Sequence, residues 1–220
     1  MGERLNIVTP LHRRTARDYL ARMTDDKVHC MGMAKQYGRD YWDGDRRYGY
    51  GGYRYDGRWG VVAEALIERY KLKADASILD VGCGKGFLLH EIKTRLPQAR
   101  IAGFDVSTYA LENAKEEVRP FIFQQDAGDP YPFATDEFDL VISLGTLHNL
   151  PLSRLKIALG EIARVSRHSY VMVEAFRNDA ELFNLQCWAL TCETFLRPEA
   201  WVWLFHEFGY GGDYEFIYFE

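Results

Sequence analysis

The sequence predicts an α/β fold: a three-layer, doubly wound and mostly parallel sheet, preceded by an N-terminal lid rich in aromatic residues and glycine. Three observations predict it. From residue 77 onward, short β-branched apolar runs alternate with stretches of helical period, the pattern of parallel strands joined by covering helices. The first run ends in a glycine-rich turn that opens a helix. The segment 37–59 has neither period and sets Tyr37, Tyr41, Trp42, Tyr48, Tyr50, Tyr53, Tyr55 and Trp59 among glycines, which suits neither a core strand nor a core helix.

The first strand is read at 77–82, and Leu88, Leu89, Ile92 and Leu96 share one face of the helix that follows. A second strand spans 100–105, after which Ser107 can cap a helix carrying Ala110, Leu111, Ala114 and Val118. The third and fourth strands are read at 121–126 and 138–143. Ser153 is the expected cap of a helix with Leu155, Leu159, Ile162 and Val165, which leads to a fifth strand at 169–176. Beyond it lie a helix within 181–196, another started by Pro198 and ending near Phe208, and a final strand at 213–220. Upstream, residues 11–36 are polar with weak helical period, and 61–70 form a helix leading into the first strand. The chain therefore divides into a cap at 1–60 and a main domain at 61–220.

With 220 residues, 47% of them apolar, such a domain buries enough surface to need no disulfide or metal staple. A net charge of −5 supplies no long-range field for nucleic acid. Cys30, Cys83, Cys187 and Cys192 form no C-x-x-C pair and no zinc spacing, so reduced thiols and no metal are expected. The opening MGERLNIVTP lacks the apolar core of a signal peptide, and no run approaches the ~18 apolar residues of a membrane span. A cytoplasmic protein without a membrane partner is the expectation.

The chemistry begins at Asp80-Val-Gly82-Cys-Gly84-Lys-Gly86. Glycines at the end of a strand let a ligand approach the backbone, where free N–H groups at the helix start can bind a polar group. Dinucleotide binding requires G-x-G-x-x-G, and here Phe87 stands at the third glycine's place. Asp80, two residues before the turn, would repel a pyrophosphate and suits a ligand bearing an ammonium group.

DVGCGKG resembles motif I of the class I S-adenosylmethionine-dependent methyltransferases, and the similarity continues over residues 61–176. The resemblance implies S-adenosyl-L-methionine as cofactor, with Gly82, Gly84 and Gly86 lining its methionine part. Asp105 would accept from the ribose hydroxyls, Val106 would flank the adenine, and Asp126-Ala127 would meet the base edge. Leu144 would lie near the sulfonium. Phe123 fits core packing better than the base. The family commonly ends in two antiparallel strands, whereas one is readable here, so either the sheet edge lies open to a second subunit or residues 177–212 hide a strand.

Methyl transfer proceeds largely by alignment, and a base is needed only for a hydroxyl or protonated amine. His148, after the fourth strand, and Glu174, ending the fifth, are the candidate catalytic residues, because open α/β sheets place ligands at the carboxyl ends of their strands. Tyr41, Trp42, Tyr50, Tyr53 and Arg58 are candidates for a lid over cofactor and substrate, with an arm that packs on the domain or on another subunit as the alternative. Trp188, Trp201 and Trp203 are read as helix packing.

The expected function is methylation of a small polar metabolite, with no nucleic-acid partner and a homodimer as the candidate assembly. Segment 37–59 is also similar to a small bacterial branch of the family linked to surface polysaccharide or phosphoramidate modification. The alternative is a non-catalytic S-adenosylmethionine-binding regulatory or assembly subunit.

Overall fold

Ile78, Leu79 and Val81 together with the apolar run 140–142, buried on both faces, call for a central parallel sheet covered by helices. The computed structural model describes residues 2–51 and 53–220. Within them the strands are β1 (Ser77–Val81), β2 (Arg100–Asp105), β3 (Ile122–Gln124), β4 (Leu140–Leu144), β5 (Ser169–Glu174) and β6 (Asp213–Ile217). They form one sheet in the order β3-β2-β1-β4-β5-β6, and every neighbouring pair is parallel. The order reverses between β1 and β4, which opens a crevice at their carboxyl ends.

The helices in chain order are α1 (Thr9–His12), α2 (Tyr19–Thr24), α3 (Lys27–Ala34), α4 (Arg39–Asp43), α5 (Gly60–Tyr70), α6 (Phe87–Arg95), α7 (Thr108–Glu112), α8 (Leu152–Val165), α9 (Asp179–Trp188) and α10 (Pro198–Glu207). One face of the sheet packs against Val62 and Leu66 of α5, Leu89 and Ile92 of α6 and Leu185 of α9. The other face packs against Leu155, Leu159 and Ile162 of α8 and Trp201 and Phe205 of α10. Each such side chain contributes roughly 1.5–3 kcal/mol on burial.

Several boundaries differ from expectation. Ser107 caps α7 by accepting from the Ala110 N–H at 3.0 Å, but the helix stops at Glu112. Ser153 caps nothing: Pro151, with φ −65°, already sets the chain for α8, and Ser153 lies inside its first turn. α9 is capped instead by Asn178, which accepts from the Glu181 N–H at 3.0 Å, and residues 189–197 carry no regular element. Segment 37–59 contains the short helix α4.

The sheet edge is not open. Arg4 makes a parallel bridge to Tyr214, with the Leu5 N–H donating to Tyr214 O at 2.8 Å and the Tyr214 N–H to Glu3 O at 3.0 Å. Among the described residues there is no seventh strand; the N-terminal strap takes up hydrogen bonds of the β6 edge.

Glu215 of β6, 1% exposed, anchors the strap. It accepts from the backbone N–H groups of Ile7, Val8 and Thr9, from the Thr9 hydroxyl at 2.6 Å and from the Tyr170 hydroxyl. A carboxylate is acceptor-only, so it can serve all of these donors, whereas an amide must turn an NH₂ toward some of them. Glu215→Gln is expected to destabilise by about 2 kcal/mol, read as a lower urea midpoint at unchanged slope.

Candidate active site

The turn after β1 adopts left-handed backbone at Gly82, Gly84 and Gly86, with φ of +79°, +54° and +67°. At Gly82 a Cβ would also sit 2.0 Å from Thr146 Oγ1, so this position is closed to a side chain twice over. The turn's amides are spent inside the protein. Gly82 and Cys83 donate to Phe104 O, Gly86 to Cys83 O, and Gly84 to Asp105 Oδ2 at 2.8 Å. The expected free N–H groups at 82–84 and 86 are therefore absent, and recognition at this turn falls to side chains and to the close approach the glycines permit.

Two adjoining cavities lie over the crevice. The larger, about 500 Å³, is lined by Gly82, Asp105, Val106, Asp126, Ala127, Leu144, His148 and Glu174 among others. The smaller, about 230 Å³, is lined by Asp80, Gly82, Gly84 and Leu144. Gly82 and Leu144 border both. Gly86 lines neither; it opens α6, and a Cβ there would meet Val118.

Asp80 is buried, and its carboxyl accepts no hydrogen bond among the described residues. Burial, with Asp105's charge added, pushes it up to about 7. Asp105 accepts from the Gly84 N–H on one oxygen and the Ser107 N–H on the other, each at 2.8 Å, and burial raises it against those bonds. Each oxygen keeps a second lone pair for a ligand. Asp126 accepts from the Gly128 N–H at 2.8 Å and pairs with Arg154 at 3.0 Å. Phe123 packs on Phe104 and Phe133, away from both cavities.

Segment 37–59 folds across these cavities. Tyr41, Trp42, Tyr50, Tyr53 and Arg58 all line the larger one, and Tyr41 stacks within 5.2 Å of both Trp42 and Tyr53. Trp42 covers the glycine turn so closely that a Cβ on Gly84 would meet its ring at 2.7 Å; its indole N–H donates to Ser107 Oγ at 2.8 Å. The segment is fastened at both ends. Lys85 Nζ pairs with Asp43 at 2.7 Å while the Tyr109 hydroxyl donates to the same carboxylate. On the far side, the Tyr50 hydroxyl accepts from the Leu190 N–H at 2.7 Å. Arg58 is held by Asp56.

His148 and Glu174, 26 residues apart in the chain, meet in the larger cavity. The Glu174 N–H donates to His148 Nδ1 at 3.3 Å, which leaves the proton on Nε2. That nitrogen lies 3.5 Å from Glu174 Oε2 without the alignment of a hydrogen bond, and Oε2 has no partner among the described residues. Burial lowers His148 to about 3 and raises Glu174 to about 7, so the ring is neutral and the carboxyl stands between its two forms near neutrality.

Sequence reasoning missed the strap residues Val8, Leu11, His12, Thr15 and Arg17, which line the same cavity beside Ile217 and Phe219. Their weak helical period carried no signal of this, because their place depends on a single bridge and on hydrogen bonds to residues some 210 positions away. Trp188 also lines the cavity, while Trp201 is core and Trp203 is exposed.

Residues 78–169 match the family model described as a methyltransferase domain. Over 92 residues the chain is 36% identical to the malonyl-[acyl-carrier protein] O-methyltransferase of Legionella pneumophila, a match covering 40% of this chain and 32% of that protein. It is 33% identical over 88 residues to the ribosomal RNA small subunit methyltransferase C of Haemophilus influenzae, covering 39% of this chain and 27% of that one. The chain thus spans about a third or less of these curated relatives. The YcgJ protein of Bacillus subtilis shares the fold, with a TM-score of 0.54 at 19% identity, covering 66% of each chain. The sheet and its flanking helices are the class I methyltransferase, Rossmann-like α/β fold. The similarity is thus to methyltransferases, with the domain model matched over residues 78–169.

Proposed function

We propose that this chain transfers a methyl group from S-adenosylmethionine to a small polar acceptor, with the cofactor over β1, β2 and β3 and the acceptor over β5 and β6. Residues 1–60 act as the cap and 61–220 as the cofactor-binding domain. The observation that carries this reading is a pair of buried carboxyls that accept no hydrogen bond among the described residues, Asp80 beside the glycine turn and Glu174 across the sheet, in adjoining cavities.

The residues present fit the cofactor. An ammonium group would give Asp80 the partner it lacks, the ribose hydroxyls would find the remaining lone pairs of Asp105, and Val106 and Ala127 offer apolar contact to the base. When bound, S-adenosylmethionine supplies a methyl group on a positively charged sulfur. Glu174 then accepts the proton of the acceptor's O–H or N–H, and His148 holds its Nε2–H toward that carboxylate. The aromatic segment 37–59 over the cavity limits water and orients the acceptor. The named relatives act on an acyl-carrier protein and on ribosomal RNA. We assign this chain instead a sugar-, nucleotide- or phosphoramidate-linked metabolite of bacterial surface polysaccharide modification, because its cavity of about 500 Å³ is roofed by its own lid. A cytoplasmic homodimer without nucleic-acid or membrane partners completes the reading.

The test is calorimetric titration with S-adenosylmethionine, S-adenosylhomocysteine and NADH. Saturable binding of the two sulfur nucleotides and none of NADH is expected; no sulfur-nucleotide binding would sink the reading. Because Asp80 stands near half-protonation at pH 7 and the bound ammonium favours its carboxylate, binding should release about half a proton there. Titrations in buffers of different ionisation enthalpy measure this, and the release should vanish at pH 9.

A second reading, a non-catalytic S-adenosylmethionine-binding regulatory or assembly subunit, draws on the fastening of the lid by the Lys85–Asp43 pair. Turnover of methyl-labelled cofactor separates the two.

A further inference from the structure

We propose that the methyl acceptor carries an anionic group, a carboxylate or phosphate, bound at Arg17 in front of an arginine cluster around Trp188. This inference rests on the methyltransferase reading and names its substrate class.

In a chain of net charge −5, three guanidinium groups converge on one indole: Arg17 at 5.5 Å, Arg22 at 4.8 Å and Arg46 at 5.5 Å from the Trp188 ring. None forms an ion pair among the described residues. Arg22, 8% exposed, donates to the carbonyls of Trp188, Arg46 and Gly49. Arg17 donates to the carbonyls of His12 and Thr15 and to His12 Nδ1 at 3.0 Å. Lys27 adds a fourth cation whose ammonium meets only Cys187 O, at 2.7 Å. Carbonyls solvate these charges without neutralising them, and gathering unneutralised cations in a partly buried place costs stability unless an anion offsets it. Other arginines in the protein have acids: Arg47 has Asp25, Arg58 has Asp56, and Arg154 has Asp126.

The cluster faces the cavity. Arg17 and Trp188 line it directly, and Arg46 lies over Gly51, another lining residue, with Nη1 2.4 Å from where a Cβ would stand. The imidazole beside Arg17 adds no charge, since burial lowers His12 to about 4. Glu174 is the carboxyl that faces Arg17 across this side of the cavity; burial raises it to about 7 even against the pull of Arg17, and the two form no ion pair among the described residues. The anion is not the cofactor's own carboxylate. Arg17 shares its wall with Ile217 and Phe219 at β6, three strands from the glycine turn after β1, which is about 14 Å. A guanidinium at Arg17 and a proton acceptor at Glu174 together fit a molecule with an anionic end and a nucleophilic O–H or N–H.

The experiment is thermal melting of the protein saturated with S-adenosylhomocysteine, titrated with inorganic phosphate and, separately, with formate at constant ionic strength. Saturable stabilisation by one or both is expected, and which anion binds more tightly distinguishes phosphate from carboxylate acceptors. Arg17→Gln should weaken that response at least about tenfold, with S-adenosylhomocysteine affinity retained. Should Arg17→Gln fail to fold, Arg46→Gln, whose guanidinium makes no hydrogen bond among the described residues, should weaken it about threefold. A wild-type protein that binds S-adenosylhomocysteine but shows no saturable anion response overturns this inference alone. So does an equal response in the arginine variants. Failure to bind S-adenosylhomocysteine overturns the methyltransferase reading and this one with it.

Discussion

Asp105→Ala should lower S-adenosylhomocysteine affinity by roughly a hundredfold to ten-thousandfold, because hydrogen bonds to a charged acceptor contribute ~1.5–3 kcal/mol each and two ribose hydroxyls would lose theirs. Part of the loss is indirect. The Gly84 and Ser107 N–H groups now held by this carboxylate at 2.8 Å would be left buried without an acceptor, which loosens the glycine turn. Asp105→Asn separates the two contributions. Its one carbonyl oxygen can still hold one of those amides, so it should bind with intermediate affinity, while an affinity equal to wild type in both variants would remove Asp105 from the site. Calorimetry reads the constants, and circular dichroism checks that the fold survives.

Glu174→Gln should cut methyl transfer by roughly 10²–10⁴ while leaving S-adenosylhomocysteine affinity intact, the range removed with a general base. Wild-type activity should rise with pH through about 7 as Glu174 loses its proton, and the variant should lose that limb. Stability runs in the opposite sense. Burial raises this carboxyl from an ordinary 4.5 to about 7, so the folded state holds the proton more tightly than the unfolded chain. The resulting stability is fully present below about pH 4.5 and is lost as pH rises through about 7, at a cost of roughly 3 kcal/mol. Glu174→Gln should therefore melt higher than wild type at pH 8 and close to it at pH 5. A variant less stable at pH 8 would show that the carboxylate has a partner in solution and is not held ready for a ligand.

The parallel sheet and the proposed cofactor side were legible because their signals are local. The β-branched runs at 77–82 and 100–105 are followed within a few residues by the turns they feed, and a glycine turn can be read without knowing what lies across the crevice. Asp80, Asp105, Val106, Asp126 and Leu144 therefore lie where their positions after successive strands put them. Gly86 shows the limit of that reading. Spacing counted it with its neighbours, yet the start of α6 turns it toward Val118. Ser153 shows another: a serine near a helix start reads as a cap, but Pro151 had already set the boundary.

The acceptor side was illegible for a different reason. His148 and Glu174 could be nominated from the ends of β4 and β5, but their mutual approach at 3.5 Å arises from the pairing of those strands. The strap is the extreme case. Residues 11–36 read only as polar with weak helical period, and the structure of the strap at 3–17 depends on Tyr214 and Glu215 at the other end of the chain. Only when β6 joins β5 does Glu215 gather the amides of Ile7, Val8 and Thr9, which closes the sheet edge and carries Arg17 to the cavity wall. Strand identity, the glycine turn and the acids at the strand ends follow from short-range pattern and steric rules acting on neighbouring residues. The fastening of segment 37–59, the placing of Asp80 and Glu174 in one cavity system and the arginines around Trp188 follow from long-range burial, which desolvates groups the linear sequence leaves far apart.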